Sequence, residues 1–264
     1  MDLNLRGKRV LITGGSKGIG LACAKAYLAE GCSVVIVSRD ADQLAKARAE
    51  LNAGGDLVTM FPADLSQAAS RTALATAFPD IDILVNNAGA IPGGGLLDLT
   101  MERWQEAWDL KVFGYIHLTQ LYLEKMKTRG SADSKNRGII VNIIGSAGRR
   151  PRYDYICGAT GNAALIAFTG AAGGKSVDWG VRIFGINPAS THTDRIVTLS
   201  KTRAKASLGD ENRWQEMLTN LPLDRLIDPM EIANSAVFLS SPACGYVSGT
   251  VLDVDGGGAY RGGK

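Results

Sequence analysis

A glycine-rich turn between a short apolar run and a helix-like segment constrains this chain more than any other feature. Val10–Thr13 is apolar, and glycines follow at positions 14, 18 and 20 before the segment 21–30. The first glycine allows a tight turn, and the later ones let the backbone approach a phosphate group and let the helix pack closely on a sheet. Free N–H groups of the first helical turn would face that phosphate. Because the chain holds 32 glycines, a glycine pattern alone does not indicate a dinucleotide site. The prediction depends on the strand before the turn and the helix after it.

Length and composition favour one α/β domain over residues 1–264. With 45% hydrophobic residues the chain can bury a sizeable core. A net charge of +3 is too small to indicate a nucleic acid or a membrane surface as a partner. We see no apolar run long enough to span a bilayer and no leader at Met1, so we expect a cytoplasmic protein. The four cysteines and two histidines show no metal-ligand spacing, and no metal site is expected.

Strand-like and helix-like segments alternate along the chain, which predicts a doubly wound parallel sheet with helices on both faces. Seven strands are predicted, at Val10–Thr13, Ser33–Val37, Leu57–Pro62, Ile81–Asn86, Ile139–Ile144, Val181–Asn187 and Val251–Val254. Helices are predicted at 18–30, 41–52, 66–77, 101–127, 159–178 and 229–241. The polar segment 128–138 is predicted to be an exposed loop. The long segment 191–222 follows the sixth strand, where a substrate lid would lie.

The residues after the second predicted strand bear on which dinucleotide binds. An NAD-specific site places a carboxylate about 20 residues beyond the glycine turn, to accept hydrogen bonds from the ribose 2′-hydroxyl. Ser38 and Arg39 stand at that place. A guanidinium suits a 2′-phosphate through charge-assisted hydrogen bonds. Lys17, in the glycine turn, would add a second positive charge. These residues favour NADP(H) over NAD(H).

Five motifs, in order over nearly the whole chain, resemble the short-chain dehydrogenase/reductase family. They are Thr13-Gly14-x-x-x-Gly18-x-Gly20, the Asp64 position, Asn86-Asn87-Ala88-Gly89, Asn187-Pro188-x-x-x-x-Thr193 and Val254-Asp255-Gly256-Gly257. The resemblance implies a Rossmann-like fold, a small-molecule substrate, and assembly as a homotetramer or homodimer.

The same resemblance implies roles for the residues of the cofactor site. Asp64 and Leu65 would lie at the adenine, and Asn87, Ala88 and Gly89 under the adenine ribose. Pro188, Thr191 and Thr193 would contact the nicotinamide amide. The complete set predicted to bind the cofactor is Gly14, Ser16, Lys17, Gly18, Ile19, Gly20, Ser38, Arg39, Asp64, Leu65, Asn87, Ala88, Gly89, Pro188, Thr191 and Thr193.

The catalytic positions of the family are all substituted in this chain. The family reduces carbonyls with a serine, a tyrosine and a lysine, helped by an asparagine on the long central helix, and the tyrosine is the general acid/base. Its tyrosine and lysine lie four residues apart, one helical turn. Here the surrounding motifs place Gly145 at the serine position and Gly158 at the tyrosine position. Asn162 stands at the lysine position and Lys111 at the asparagine position.

Neighbouring residues suggest a rearranged site. Lys111 and Asn162 resemble an exchange of the family's asparagine and lysine between two facing helices. Ser146 stands one residue after the missing serine, and Tyr155 three residues before the missing tyrosine. We predict Tyr155 as the proton donor, Lys111 as its electrostatic partner, and Ser146 and Asn162 as residues that orient substrate or ribose. A structural tyrosine at 155, with its hydroxyl hydrogen-bonded, is the competing interpretation.

The basic residues around this site leave the substrate open. Arg149, Arg150 and Arg152 precede Tyr155 and could bind a carboxylate or phosphate, or form a solvated charged loop. The interpretation is an NADP(H)-dependent oxidoreductase that interconverts a carbonyl and an alcohol on a small organic substrate that could be anionic. Two alternatives stay open: an NADP(H)-binding protein without redox turnover, and a lyase or hydratase that uses Tyr155 as a base.

Overall fold

The computed structural model describes residues 1–51, 57–129 and 137–261, and its centre is a parallel sheet with the strand order β3-β2-β1-β4-β5-β6-β7. The seven strands are β1 Arg9–Thr13, β2 Ser33–Ser38, β3 Val58–Pro62, β4 Ile83–Asn86, β5 Gly138–Ile143, β6 Val181–Pro188 and β7 Val251–Val254. Strand order reverses between β1 and β4, which pair directly. The predicted doubly wound parallel sheet is therefore confirmed.

Within the described residues, seven α-helices surround the sheet: α1 Gly18–Ala29, α2 Ala41–Leu51, α3 Ala68–Ala77, α4 Met101–Thr128, α5 Ile156–Ser176, α6 Asp194–Leu208 and α7 Pro229–Ser240. Helices α1, α2 and α7 pack in one apolar cluster on the sheet, and α3 and α4 in another. Alternate residues of β1 serve opposite faces, since Val10 and Ile12 join the first cluster and Leu11 joins the second. Helices on both faces explain why the central strands are apolar throughout.

Helix α5 begins earlier than the sequence predicts, at Ile156 rather than at 159. This start places Tyr155 directly before the first helical turn. By length and composition the stretch Ile156–Trp179 could also cross a membrane, contrary to the prediction that no run of the chain could. Buried residues of α5, such as Leu165 and Thr169, face the interior instead, and the helix contacts β6 and α4.

The other elements begin and end close to their predicted bounds. The predicted lid segment 191–222 contains α6 and the 3₁₀ segment Glu211–Met217. Most of the predicted loop 128–138, and residue 52 of the second predicted helix, lie outside the described residues.

Candidate active site

A large cleft runs along the carboxyl ends of the central strands, where the strand order reverses. Its volume is about 1670 Å³, larger than the roughly 300–1,000 Å³ of a site for one drug-sized molecule. It therefore has room for a dinucleotide and a substrate together. In doubly wound sheets ligands bind at this edge.

Thr13 and Asn87 join the glycine turn to the end of β4. The Thr13 hydroxyl accepts hydrogen bonds from the backbone N–H groups of Asn87 (2.8 Å) and Ala88 (3.0 Å). The Asn87 amide returns two bonds, to the carbonyl oxygens of Thr13 at 2.9 Å and of Gly14 at 3.2 Å. These four hydrogen bonds hold the glycine turn against the end of β4, and the polar groups that form them are paired with one another.

The glycines of the turn are required by close packing. Gly14 has φ +66° and Gly18 has φ +56°, in the left-handed region. A Cβ atom on Gly20 would overlap the carbonyl oxygen of Gly14 and lie 2.6 Å from Nδ2 of Asn87. Helix α1 can thus begin directly against the turn, with its first N–H groups at the cleft.

The adenine-side residues lie at one end of the cleft. Ser38 ends β2, and the exposed Arg39 lines the cleft next to it. Lys17 reaches across the cleft to the Asp194 carboxylate, with Nζ and Oδ2 3.3 Å apart. The Asp64 carboxylate accepts hydrogen bonds from the backbone and hydroxyl of Ser66 at 3.0 and 2.8 Å.

The other end of the cleft is bounded by the loop after β6. Pro188 ends that strand, and the Thr191 hydroxyl donates to the Ala189 carbonyl oxygen at 3.0 Å. The Thr193 methyl group lies 3.2 Å from the place of a Cβ on Gly18. His192 is exposed, and its backbone N–H donates to the Ile227 carbonyl at 2.9 Å. The predicted lid segment therefore begins in contact with the glycine turn.

Tyr155 and Gly158 form the first of three pairs in which a glycine leaves room for a side chain that is predicted to be catalytic. A Cβ atom on Gly158 would overlap ring atoms of Tyr155 and lie 2.5 Å from its hydroxyl oxygen. The ring therefore covers the backbone at the position where the chain lacks a side chain. The Tyr155 hydroxyl accepts a hydrogen bond from Nη2 of Arg195 at 3.0 Å.

Asn162 and Gly145 form the second pair. Gly145 has φ +143°, and a Cβ atom there would lie 2.7 Å from Nδ2 of Asn162. Asn162 is only 3% exposed, and its Oδ1 has no hydrogen-bond partner within residues 1–51, 57–129 and 137–261. A buried acceptor without a donor is costly, and Asn162 is one of the residues that line the cleft.

Lys111 and Gly89 form the third pair. A Cβ atom on Gly89 would lie 3.0 Å from Cδ of Lys111, so the glycine gives the lysine a path into the interior. The Lys111 ammonium donates to the Ile144 carbonyl at 2.7 Å and lies 5.6 Å from the centre of the Tyr115 ring. Burial, assisted by the positive charge of Arg195, lowers the pKa of Lys111 to about 7. The amine therefore changes charge near neutral pH.

The three arginines before Tyr155 all have partners within the chain. Arg149 pairs with Asp253 at 3.2 Å, and Arg150 donates to the Gly258 carbonyl. Arg152 binds both oxygens of Asp154, at 3.0 and 2.8 Å, and Arg203 joins the same carboxylate at 3.0 Å. Burial alone would raise the pKa of Asp154, but the two guanidinium groups outweigh it and hold that pKa below its ordinary value.

Known proteins share this fold. The family model described as short chain dehydrogenase matches residues 8–204. The chain belongs to the short-chain dehydrogenase family. It is 32% identical to the 7alpha-hydroxysteroid dehydrogenase of Escherichia coli (strain K12), over 98% of this chain and 97% of that protein.

Solved structures of the same family carry nicotinamide cofactors. An L-sorbose reductase from Gluconobacter frateurii, complexed with NADPH and L-sorbose, is 29% identical with a TM-score of 0.85, covering 97% of this chain and 98% of that one. A 7 alpha-hydroxysteroid dehydrogenase complexed with NADH is 30% identical with a TM-score of 0.82, covering 97% of this chain and 96% of that one. The family is thus one of dehydrogenases and reductases, and its cofactors include both NADPH and NADH.

The structure brings nearly all the predicted site residues of this short-chain dehydrogenase to one cleft. Tyr155, Lys111, Ser146 and Asn162 line it, as do the predicted cofactor residues other than Gly20 and Asp64. Gly20 supports the turn from behind, and Asp64 faces its own loop. A nicotinamide dinucleotide fits this arrangement, because the cleft offers the free N–H groups of α1 at one end and the unpaired Asn162 acceptor at the other.

The contact between Arg195 and Tyr155 is not predicted from the sequence. Arg195, in the first turn of α6, is named in no motif, and it lies 40 positions after Tyr155, to which it donates. A basic residue at the start of the predicted lid is the one signal in the sequence for it. Cys157 is buried, and burial raises the pKa of its thiol, which disfavours the reactive thiolate.

Proposed function

We propose that this protein is an NADP(H)-dependent oxidoreductase that interconverts a carbonyl and an alcohol on a small organic substrate. The observation that carries the proposal is the place of Tyr155. Its ring covers Gly158 at the position of the missing tyrosine, and its hydroxyl lies in the cleft beside a guanidinium group. A phenol at that place can serve as the acid of reduction and the base of oxidation.

The residues of the chain would transfer the proton and orient the substrate and ribose. A nicotinamide cofactor, when bound, supplies or accepts the hydride. Tyr155 donates its proton to the carbonyl oxygen during reduction and takes it back during oxidation. Ser146, at the start of the turn after β5, offers a hydroxyl to orient the substrate. The Asn162 Oδ1 accepts from a hydroxyl of substrate or ribose, and Lys111 supplies a donor at the end of β5.

The preference for NADP(H) is supported by charge at the adenine end. Arg39 and Lys17 both line the cleft, and β2 ends in Ser38 rather than in a carboxylate. A 2′-phosphate would gain a charge-assisted hydrogen bond from Arg39 and meet no like charge at Ser38. When the cofactor binds, the Lys17 ammonium would leave the Asp194 carboxylate and pair with the cofactor phosphates.

An anionic substrate is supported less strongly. Arg195 and Arg203 both line the substrate side of the cleft, but Arg203 and Arg152 already share Asp154. Inhibition by small carboxylates should weaken in Arg152→Ala if a carboxylate binds there. Unchanged inhibition would argue for a neutral substrate.

We also propose that the protein is a cytoplasmic homo-oligomer, a dimer or a tetramer. Phe113 on the long helix α4 is 46% exposed and Leu252 on the last strand is 41% exposed, which leaves apolar groups on two faces. Light scattering coupled to size-exclusion chromatography tests the assembly. A monomer at micromolar concentration would contradict it.

The experiment that tests the function measures NADPH and NADH turnover over a panel of carbonyls and alcohols, with cofactor binding measured in parallel. Oxidation of NADPH with formation of an alcohol, faster than with NADH, is the expected result. Stoichiometric NADPH binding without turnover would favour a non-redox binding protein. Product formation without net change of the cofactor would favour a lyase or hydratase.

A further inference from the structure

Arg195 makes the closest polar contact with the Tyr155 hydroxyl. Its Nη2 donates to the phenol oxygen at 3.0 Å and to the Ile91 carbonyl at 2.6 Å. Ile91 is 1% exposed and belongs to an apolar cluster that Tyr155 packs against. One end of the guanidinium is therefore fixed to rigid backbone, and the contact with the phenol does not depend on a freely moving side chain.

The chemistry of a guanidinium decides the direction of this hydrogen bond. Arginine has only donors, so the phenol oxygen must accept and its own proton stays free to point elsewhere. The Tyr155 hydroxyl donates to no group in the part of the chain that the structure describes. A phenol held in this way presents its proton to the cleft.

Charge distinguishes Arg195 from the other cations near the phenol. Lys111 on α4 has a pKa of about 7, so at neutral pH and above much of it carries no charge. Arg203 on α6 and Arg152 before Tyr155 are shared by Asp154. Arg195 keeps its charge at every working pH.

The remaining titratable groups facing this site lack a permanent charge. Tyr115 on α4 donates to the Ile143 carbonyl at 2.9 Å, and burial raises its pKa far above the working range. Cys157 on α5 is buried, and burial raises the pKa of its thiol. Neither group can replace the charge of Arg195.

We propose that Arg195 is the positioning residue that orients the Tyr155 phenol and stabilises its phenolate form, the task that the family gives to a lysine one turn after its tyrosine. This inference rests on the proposed role of Tyr155 as proton donor. It places the activating charge on α6, in the predicted lid segment, rather than on the helix that follows the tyrosine.

The first test needs no substrate. Tyrosinate absorbance near 295 nm is followed against pH, and the difference between the wild type and Tyr155→Phe isolates the ionisation of Tyr155. In Arg195→Gln, which keeps an amide donor but no charge, this ionisation should move at least about one pH unit higher. Arg195→Lys should restore most of the shift. The exposed Lys201→Met, on the same helix, is the matched control and should leave the transition in place.

The second readout is kinetic, on any alcohol that the enzyme oxidises. Arg195→Gln should lower kcat about 10- to 100-fold with NADP⁺ affinity unchanged, and the rise of the rate with pH should move higher. Arg195→Met provides a second neutral variant if the glutamine variant fails to fold. An unmoved Tyr155 titration in a folded neutral variant would overturn the role of Arg195. Absence of any turnover by the wild type would instead overturn the proposed function, and the titration would still be readable.

Discussion

Glycine has a different structural role at each of the two ends of the cleft. At the glycine turn, Gly20 allows backbone and amide to meet so closely that a methyl group would collide with the Gly14 carbonyl. At the catalytic end, Gly158 and Gly145 leave space that Tyr155 and Asn162 fill. In the first region glycine lets two backbone segments pack against each other. In the second it leaves space that a side chain from another position fills.

The two ends also differ in how completely their polar groups are satisfied. Asn87 and Thr13 exchange hydrogen bonds at the glycine turn. At the catalytic end Asn162 keeps a buried acceptor without a partner, and Lys111 has a pKa near 7. Unpaired and perturbed groups concentrate where chemistry takes place, because they gain partners from what binds there. The polar groups are paired at the glycine turn and left open around Asn162 and Lys111, which is the contrast expected if cofactor binds at the first end and reaction takes place at the second.

Substitution of Gly20 should cause the largest loss, because no flexible side chain is available to move. Gly20→Ala forces a methyl group against the Gly14 carbonyl and Asn87, and overpacking of this kind costs about 1–3 kcal/mol, occasionally more. We expect a lower unfolding midpoint in urea together with loss of NADPH binding in calorimetry. Gly174→Ala, on an open face of α5 with nothing within 4 Å, is the control. Normal NADPH binding by Gly20→Ala would contradict the claim that the glycine turn needs close backbone packing to bind the cofactor.

Substitution of Gly158 should separate chemistry from cofactor binding. Gly158→Ala must displace the Tyr155 ring, and a misplacement of about 1 Å can lower a rate about 100-fold. Stopped-flow NADPH oxidation should show that loss in kcat, while NADPH affinity stays within about twofold, well short of the tenfold change that about 1.4 kcal/mol would give. Gly174→Ala again serves as the control. A fully active Gly158→Ala would show that the position of the ring is irrelevant.

Removal of the Lys111 amine should change the pH dependence of stability. The unfolded lysine keeps its proton to about pH 10.4, whereas the folded pKa is about 7. Between these values the unfolded state binds more protons, so wild-type stability rises with pH there and levels off at its lowest value below pH 7, where both states are protonated. Lys111→Met should therefore be more stable relative to the wild type at pH 6 than at pH 9, by about 3 kcal/mol.

Urea unfolding at both pH values measures this difference. Exposed Lys201→Met is the control and should show no such pH dependence. Equal effects of Lys111→Met at pH 6 and pH 9 would mean that the lysine stays charged in the folded protein.

Substitution of Arg39 should have the smallest effect and confine it to cofactor choice. Loss of one charge-assisted contact with a 2′-phosphate costs about 1.5–3 kcal/mol when buried and less at an exposed site such as this one. We expect Arg39→Ala to raise the KM for NADPH about tenfold, or about 1.4 kcal/mol, with NADH little changed. Arg48→Ala, on α2, is the control. Equal changes for both cofactors would place the 2′-phosphate elsewhere.

The fold could be predicted almost completely from sequence, because its signals are local. Alternation of apolar strands with helical segments located all seven strands, and β7 agrees with its predicted bounds at Val251–Val254. The glycine turn lies between β1 and α1 as its spacing indicates. Both depend on neighbours in the chain, which a sequence displays directly.

At the other end of the cleft, the sequence predicts which residues line the site but not how they are arranged. Gly145 and Gly158 look like losses in the sequence, since the side chains that occupy their space come from other positions. The Tyr155 ring lies over Gly158 because α5 begins at Ile156, earlier than periodicity shows. Arg195 reaches Tyr155 through the fold of a distant segment, and no spacing rule reports such a contact.

The most direct test of the account compares Tyr155→Phe with Tyr153→Phe on a substrate that the wild type reduces. Tyr153 is 64% exposed and serves as the matched control. Since general acid catalysis contributes about 10²–10⁴-fold, Tyr155→Phe should lower kcat by that factor while NADPH binding is unchanged. Tyr153→Phe should retain wild-type turnover. Full turnover by Tyr155→Phe would contradict the claim that this phenol has taken over the chemistry of the missing tyrosine.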